Sequence, residues 1–191
     1  MGIASIIMFG VLVVGVVYAI MIYNNLVQVK HNVSKAWANI DVLLKQRHDE
    51  LPKLVETCKQ YMKFEQDTLT KVMEARSRVS AAREQQNIGA LGQAEGALRA
   101  TVGNLFALAE AYPDLKTNQT FQQLQTRISS LENAIADRRE FYNESVNVNN
   151  VRIEQFPDSI IAGMFSFKSA PLLEFQAEEK ADVDVGKLFK S

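Results

Sequence analysis

The sequence predicts an all-α protein: an N-terminal transmembrane helix (residues 1–23), an antiparallel four-helix bundle (24–157) and a short extended C-terminal tail (158–191). Three observations carry that expectation. The first is an apolar run, since from Ile3 to Ile22 every residue is apolar or small except Ser5 and Tyr18, and no charged side chain comes before Lys30. The second is the recurrence of apolar residues at intervals of three and four through most of the remaining chain. The third is composition: 9 Gly and 4 Pro in 191 residues, and a middle rich in Ala, Leu, Glu, Gln, Lys and Arg, the good helix formers.

The apolar run is about 20 residues long, which at about 1.5 Å rise each matches a hydrocarbon core about 30 Å thick. It is expected to cross the bilayer, with Ile3 and Ile22 bounding the span. Val17, Tyr18 and Ala19 loosely fit a signal-peptide cleavage site, but no basic residue precedes the run and it is longer than an ordinary h-region, so an uncleaved anchor is the better reading. Gly10 and Gly15 lie five apart and miss the four-residue spacing of close-packed membrane helices. Tyr18 and Tyr23 suit the interfacial aromatic position, and Asn24 and Asn25 lead into water. Lys30 and Lys35 follow the span while no Lys or Arg precedes it, which by the positive-inside rule places the C-terminal domain in the cytoplasm, beneath a cell inner membrane.

After the span, Leu26, Val29, Val33, Ala36, Trp37, Ile40, Leu43, Leu44 and Leu51 form one apolar stripe, read as a helix continuing out of the membrane. Pro52 must change something, because it cannot donate to the carbonyl of His48 and disfavours helix at Leu51. Either one long helix kinks there or the chain turns and Pro52 opens a new helix; the turn is preferred because it gives elements of comparable length. A second stripe runs from Val55 through Met62, Leu69 and Val72 to Val79. Residues 85–93, with Asn87, Gly89 and Gly92, read as a loop. A third helix carries Leu98, Val102, Leu105 and Ala109 and stops at Pro113, and a fourth opens at Thr117 or Asn118 and closes at Pro157. Beyond it, Phe165-x-Phe167 and Leu173-x-Phe175 alternate over a Pro-broken stretch, read as short extended segments rather than a fifth helix.

Charge is nearly balanced, with 21 basic and 22 acidic side chains, which gives no global field toward nucleic acid. The single cysteine, Cys58, excludes an intramolecular disulfide and any multi-cysteine metal site, and its place among apolar positions reads as core. There are two histidines, His31 and His48, and no HExxH, CxxC, GxGxxG, P-loop or nucleophile elbow. The run Arg47-His48-Asp49-Glu50 is the nearest thing to an acid–base or metal cluster, but adjacent helical residues point in different directions. No catalytic residue, metal site or cofactor is therefore assigned. The triplets at Asn32, Asn118 and Asn143 match a glycosylation pattern and read as chance within helical segments. Four charged residues fall on or beside the apolar stripes: Arg47, Glu65, Arg76 and Arg138. Long stems that cover the seam and snorkel outward explain them simply; the sharper expectation is a buried network that fixes helix register.

Several stretches together resemble the LemA family of bacterial membrane proteins. They are Tyr23-Asn24-x-Leu26-Val27, Ala36-Trp37-x-x-Ile40-Asp41-Val42-x-Leu44-Lys45, Leu51-Pro52-x-Leu54-Val55-Glu56 and Glu110-Ala111-Tyr112-Pro113-Asp114-Leu115-Lys116, followed by Asn118-x-x-Phe121, Leu131-Glu132-Asn133, Tyr142-Asn143 and Phe156-Pro157. Departures from the family pattern are Gln46 for a basic residue, Phe64 for a His before Glu65, Val148 for an aromatic and Ser166 for a Gly between two Phe. The resemblance implies an N-terminal anchor and a four-helix bundle; it supplies no reaction, and a relative among magnetosome-forming proteins implies membrane organisation. The functional expectation is a membrane-anchored scaffold or adaptor that self-associates, with a transmembrane sensor as the alternative and a hydrolase using Asp49, Glu50 or Glu65 as the least favoured. Partners are expected to be the lipid bilayer, further copies and other membrane proteins, with no nucleic acid. The apolar tail residues Ile160, Ile161, Phe165, Phe167, Leu173 and Phe175 are the expected oligomer or tail contacts, either covering their own bundle or docking on a neighbouring copy.

Overall fold

A computed structural model describes residues 2–174, and among them every regular element is helical. The order is α1 (Ile3–Lys59), α2 (Gln66–Glu84), α3 (Ile88–Ala109), α4 (Pro113–Lys116), α5 (Gln119–Glu154) and α6 (Asp158–Met164). The chain divides into two compact units. Among the described residues, one is 2–40 with Asp137–Leu172 and the other is Asp41–Ala136 with 173–174. The helices α1 and α5 each contribute a length to both.

In the first unit α1 begins as the apolar run, and every described side chain up to Met21 is exposed except half-buried Ala19. Burial starts at Ile22 and Leu26, which pack with Ala162 of α6 and with half-buried Ile153, Ile161 and Phe167. The Tyr23 ring meets those of Phe165 and Phe167, with centroids 4.7 and 6.0 Å apart, and Trp37 lies edge-on to Tyr142 at 5.9 Å. Residues 158–164, expected to be extended, are helical instead: Asp158 sits in the first turn as an ion pair with Arg152 at 2.9 Å, and Ala162 is small enough to close on Leu26. The chain then reverses at Ser166, whose φ of 56° lies in the left-handed region that favours glycine.

Past that reversal residues 167–174 form no regular element, and their backbone pairs with side chains of α5. Asn150 holds Ala170 from both sides, donating to its carbonyl at 3.0 Å and accepting its N–H at 2.9 Å. The Asn149 amide donates to the Lys168 carbonyl at 3.3 Å and the Tyr142 hydroxyl to that of Pro171 at 3.0 Å. Two asparagines and a tyrosine thus satisfy backbone groups that a neighbouring strand would otherwise take.

In the second unit the expected turn at Pro52 is absent: α1 runs on to Lys59, with Leu51, Leu54 and Cys58 fully buried. The reason lies in α2. Proline removes the N–H that would close on the His48 carbonyl, and Arg76 Nε donates to that oxygen at 2.8 Å in its place. The turn comes about ten residues later, between Lys59 and Gln66. There Met62 is fully buried, the Tyr61 hydroxyl accepts from Asn118 at 3.0 Å, and Glu65 accepts from the Tyr112 hydroxyl at 3.2 Å. The segment expected as a loop from Gln85 is mostly helix as well. Asn87 caps α3 by accepting from the N–H of Ala90 at 3.0 Å, and Gly89 and Gly92 lie inside the helix. Gly92 is required there because a Cβ would stand 1.9 Å from the Glu174 carbonyl oxygen. Asn118 caps α5 through the N–H of Phe121 at 3.0 Å, one of the two capping residues expected.

The compensation at Pro52 predicts non-additivity. Arg76→Met is expected to cost about 1.5–3 kcal/mol, and about 1 kcal/mol less in a Pro52→Ala background, where a backbone N–H returns to the His48 carbonyl. Denaturant unfolding of the detergent-solubilised chain, followed by circular dichroism, measures the cycle; additive costs would rule the compensation out.

Candidate functional site: a buried charged cluster

The second unit places four charged side chains around one small cavity: Arg47 from α1, Glu95 and Arg99 from α3 and Glu132 from α5. Arg47 and Glu95 are 2 % and 3 % exposed, which charged residues reach only when paired. One guanidinium nitrogen of Arg47 lies 2.5 Å from both carboxylate oxygens of Glu95. The Nε of Arg47 and the Oε1 of Glu132 are buried without a protein hydrogen-bond partner. The cavity, about 20 Å³, has room for about one water molecule to serve such groups. Burial raises the Glu132 carboxyl above its ordinary value, opposed by Arg47 and Arg99 and assisted by Glu95.

Three further residues of the same stretch of α1 make charged or polar contacts. Glu50, buried, receives Arg127 of α5 at 3.1 Å and Lys53 at 3.2 Å. Asp41 pairs with Arg83 of α2 at 3.7 Å. His48, besides giving its carbonyl to Arg76, faces that residue with its ring: Arg76 Nη2 stands 2.5 Å from His48 Nε2. Because guanidinium only donates, His48 Nε2 must accept, which requires a neutral ring. Desolvation lowers the His48 pKa, and the adjacent Arg76 charge lowers it further. Between Asp41 and Glu50, α1 thus carries charged or polar contacts to each of α2, α3 and α5.

These placements sort the residues singled out in the sequence. Arg47, Glu65 and Arg76 reach three different partners, namely Glu95, Tyr112 and His48, and Arg138 is exposed in the first unit. They do not converge. Sequence reasoning misses Glu95 because a loop over residues 85–93 hides the stripe Leu91, Glu95, Leu98, Val102, with its spacings of four, three and four. Glu132 stands beside Leu131 at the edge of a stripe and carries no comparable signal. Of the tail residues, Ile160 and Phe165 are exposed, Ile161 and Phe167 cover Ile22 and Leu26 of their own chain, Leu173 is buried, and Phe175 lies outside the described residues. The self-covering arrangement thus accounts for Ile161 and Phe167. Among the described residues no group of three or more His, Cys, Asp or Glu is arranged to hold a metal ion. Burial pushes the Cys58 thiol up to about 12, which leaves it a core residue and not a nucleophile.

The arrangement does structural chemistry: a buried pair constrains which helix faces meet, and removing one member strands the other. Arg47→Met is expected to cost about 3–5 kcal/mol by leaving Glu95 unpaired, and Arg47→Met with Glu95→Leu to recover most of it. Equal losses in the single and double variants on denaturant unfolding would refute this. A second expectation concerns pH. A folded-state His48 pKa below the ordinary 6.5 means that its contribution is fully present above pH 6.5 and is lost as pH falls through the folded value. Thermal unfolding should therefore shift to lower temperature below pH 6.5, and His48→Gln, which accepts but cannot protonate, should flatten that part of the profile.

Comparison with known proteins identifies the chain's relatives. The model of the LemA family matches residues 36–186. The protein LemA of Metamycoplasma hominis is 27% identical over 188 residues, covering 95% of this chain and 83% of its own length. Magnetosome protein MamQ 2 of Paramagnetospirillum magneticum is 23% identical over 189 residues, 87% of this chain and 69% of that protein. Magnetosome protein MamQ of Magnetospirillum gryphiswaldense is 33% identical over 79 residues, 41% of this chain and 29% of that protein. With most of its length matched by the family model, and with an apolar N-terminal helix leading into an all-helical fold, the chain belongs to the LemA family.

Proposed function

We propose that this protein is a membrane-anchored helical scaffold or adaptor, acting in membrane or cell-envelope organisation and not in catalysis. The observation that carries the reading is α1. Its first 20 or so residues are apolar and exposed, as a lipid-facing helix must be, and the same helix runs without a break to Lys59, where its polar residues bind three other helices. One element is both anchor and keystone. In this reading the last part of α1 forms with α2, α3 and the first part of α5 a four-helix bundle held beneath the inner membrane, on its cytoplasmic side, because Lys30 and Lys35 follow the apolar run. The bundle presents its outer faces to other membrane proteins or to further copies of the chain. Exposed Val42 and Phe64, the latter 95 % exposed, are apolar residues on those faces. Relatives whose names attach them to the magnetosome and not to a reaction support the same reading.

Two measurements test it. Phe64→Cys introduces an exposed thiol into a chain whose native Cys58 is buried, so a membrane-impermeant maleimide should label the variant only after the cells are opened; labelling in intact cells would reverse the orientation. Extraction of the tagged chain from native membranes into lipid nanodiscs should bring a stoichiometric companion, another copy or another protein. A monomer without one would remove the scaffold.

A further inference from the structure

We infer that α6 and the residues beside it form a lipid-binding element that lies in the headgroup region of the bilayer, next to the point where α1 leaves it. The inference rests on the reading of α1 as a membrane span. Its observations come from the first unit alone.

Position is the first of them. If residues 3–22 fill a hydrocarbon layer about 30 Å thick, Tyr23 marks the boundary with the headgroups. The helix α6 packs at that level: Ala162 and Ile161 close on Ile22 and Leu26, while Phe165 and Phe167 meet Tyr23. Ile22 to Leu26 is four residues, about 6 Å of helix, so α6 lies within the depth that interfacial helices occupy, about 5–10 Å.

The second observation is how much apolar surface α6 and the residues flanking it leave exposed. Phe156, Ile160, Met164 and Phe165 are 77, 54, 71 and 56 % exposed. Ile160 and Met164, four residues apart within α6, share one edge of the helix, and Phe156 and Phe165 flank it in the turns at either end. No charge interrupts them, because Asp158 is buried in its ion pair with Arg152. In water that strip would be an unfavourable apolar surface beside an already apolar span; against lipid it continues the span sideways. Lys30 and Lys168 are not buried, and phosphate headgroups suit such cations. The occupant is therefore the lipid surface and not a peptide or a second copy. Along residues 168–171, the natural edge for pairing with another chain, the carbonyls of Lys168, Ala170 and Pro171 and the N–H of Ala170 are already taken by Asn149, Asn150 and Tyr142.

The test uses the full-length chain in nanodiscs of zwitterionic lipid with a minor share of anionic lipid, some of it brominated in the upper part of the acyl chain. Trp37 is kept throughout and the parent chain supplies the background. Three variants add one tryptophan each: Leu12→Trp in the span, Met164→Trp on α6, and Phe141→Trp on α5. Phe141 is an exposed residue of the same unit, 15 residues before Phe156 in sequence, or about 22 Å of helix. The brominated lipid should quench Leu12→Trp and Met164→Trp and leave Phe141→Trp at background. Quenching of Leu12→Trp alone would overturn the interfacial role of α6 while leaving the anchor standing. An unquenched Leu12→Trp would overturn the anchor and this inference with it. A Met164→Trp emission that is blue-shifted but unquenched would show that protein covers the strip, and would likewise overturn the assignment to lipid.

Discussion

The missing N–H of Pro52 is the constraint on which the second unit turns. A proline inside a helix leaves one carbonyl without its donor, at a cost of about 3 kcal/mol or more if nothing intervenes. Here the stranded oxygen is that of His48, and the replacement donor comes from Arg76 on α2. The substitution does two things at once. It lets α1 continue to Lys59, so that Leu54, Val55 and Cys58 reach the core, and it makes that continuation conditional on α2 being docked. A local defect in one helix has become a specific tertiary bond. The His48 ring strengthens the condition, since the same guanidinium addresses both its carbonyl and its Nε2.

The neighbouring buried charges follow a similar logic. An Arg–Glu pair taken out of water gains little over two apolar residues of similar volume, because desolvation consumes most of the Coulomb attraction. What such a pair does distinguish is the correct register from a slipped one: moving α3 by one turn along α1 would leave Arg47 and Glu95 each buried alone. An all-helical core built mainly of Leu, Val, Ile and Ala tolerates many packings of near-equal energy. Charged contacts from one ten-residue stretch of α1 to three partners remove most of those alternatives. Within this cluster the Nε of Arg47 and the Oε1 of Glu132, buried without a protein hydrogen-bond partner, mark where that specification is least complete.

Much of the fold is legible in the residues, and where it is not the causes can be named. The apolar run, the helical stripes and the cap at Asn118 rest on local signals, and local signals are enough for them. The end of α1 is not legible. The three–four alternation from Val55 to Val79 passes through residues 60–65 unbroken, so periodicity cannot show that the chain turns there; long-range bonds to Tyr61 and Glu65 hold the turn. Pro52 misleads for the complementary reason, its repair lying 24 residues away in sequence. At Gly89 and Gly92 glycine suggests a loop, whereas Gly92 serves the close approach of the chain at Glu174. Glu95 disappears from the stripe with that loop. Ser166 shows the reverse case: a departure from a family glycine, it sits at a left-handed φ, the backbone reason a glycine belongs there.

The irregular segment after α6 is held by what it shares with any peptide. Asn149, Asn150 and Tyr142 bind the carbonyls of Lys168, Ala170 and Pro171 and the N–H of Ala170, and none of these contacts reads a side chain. These contacts therefore place little constraint on the side chains at 168, 169 and 171, and at 170 they require a residue with a backbone N–H. The burden of specificity falls on the three α5 residues, whose own helix fixes their spacing. Such a clasp is a general peptide receptor folded onto its own chain, and its information content lies wholly on the receptor side.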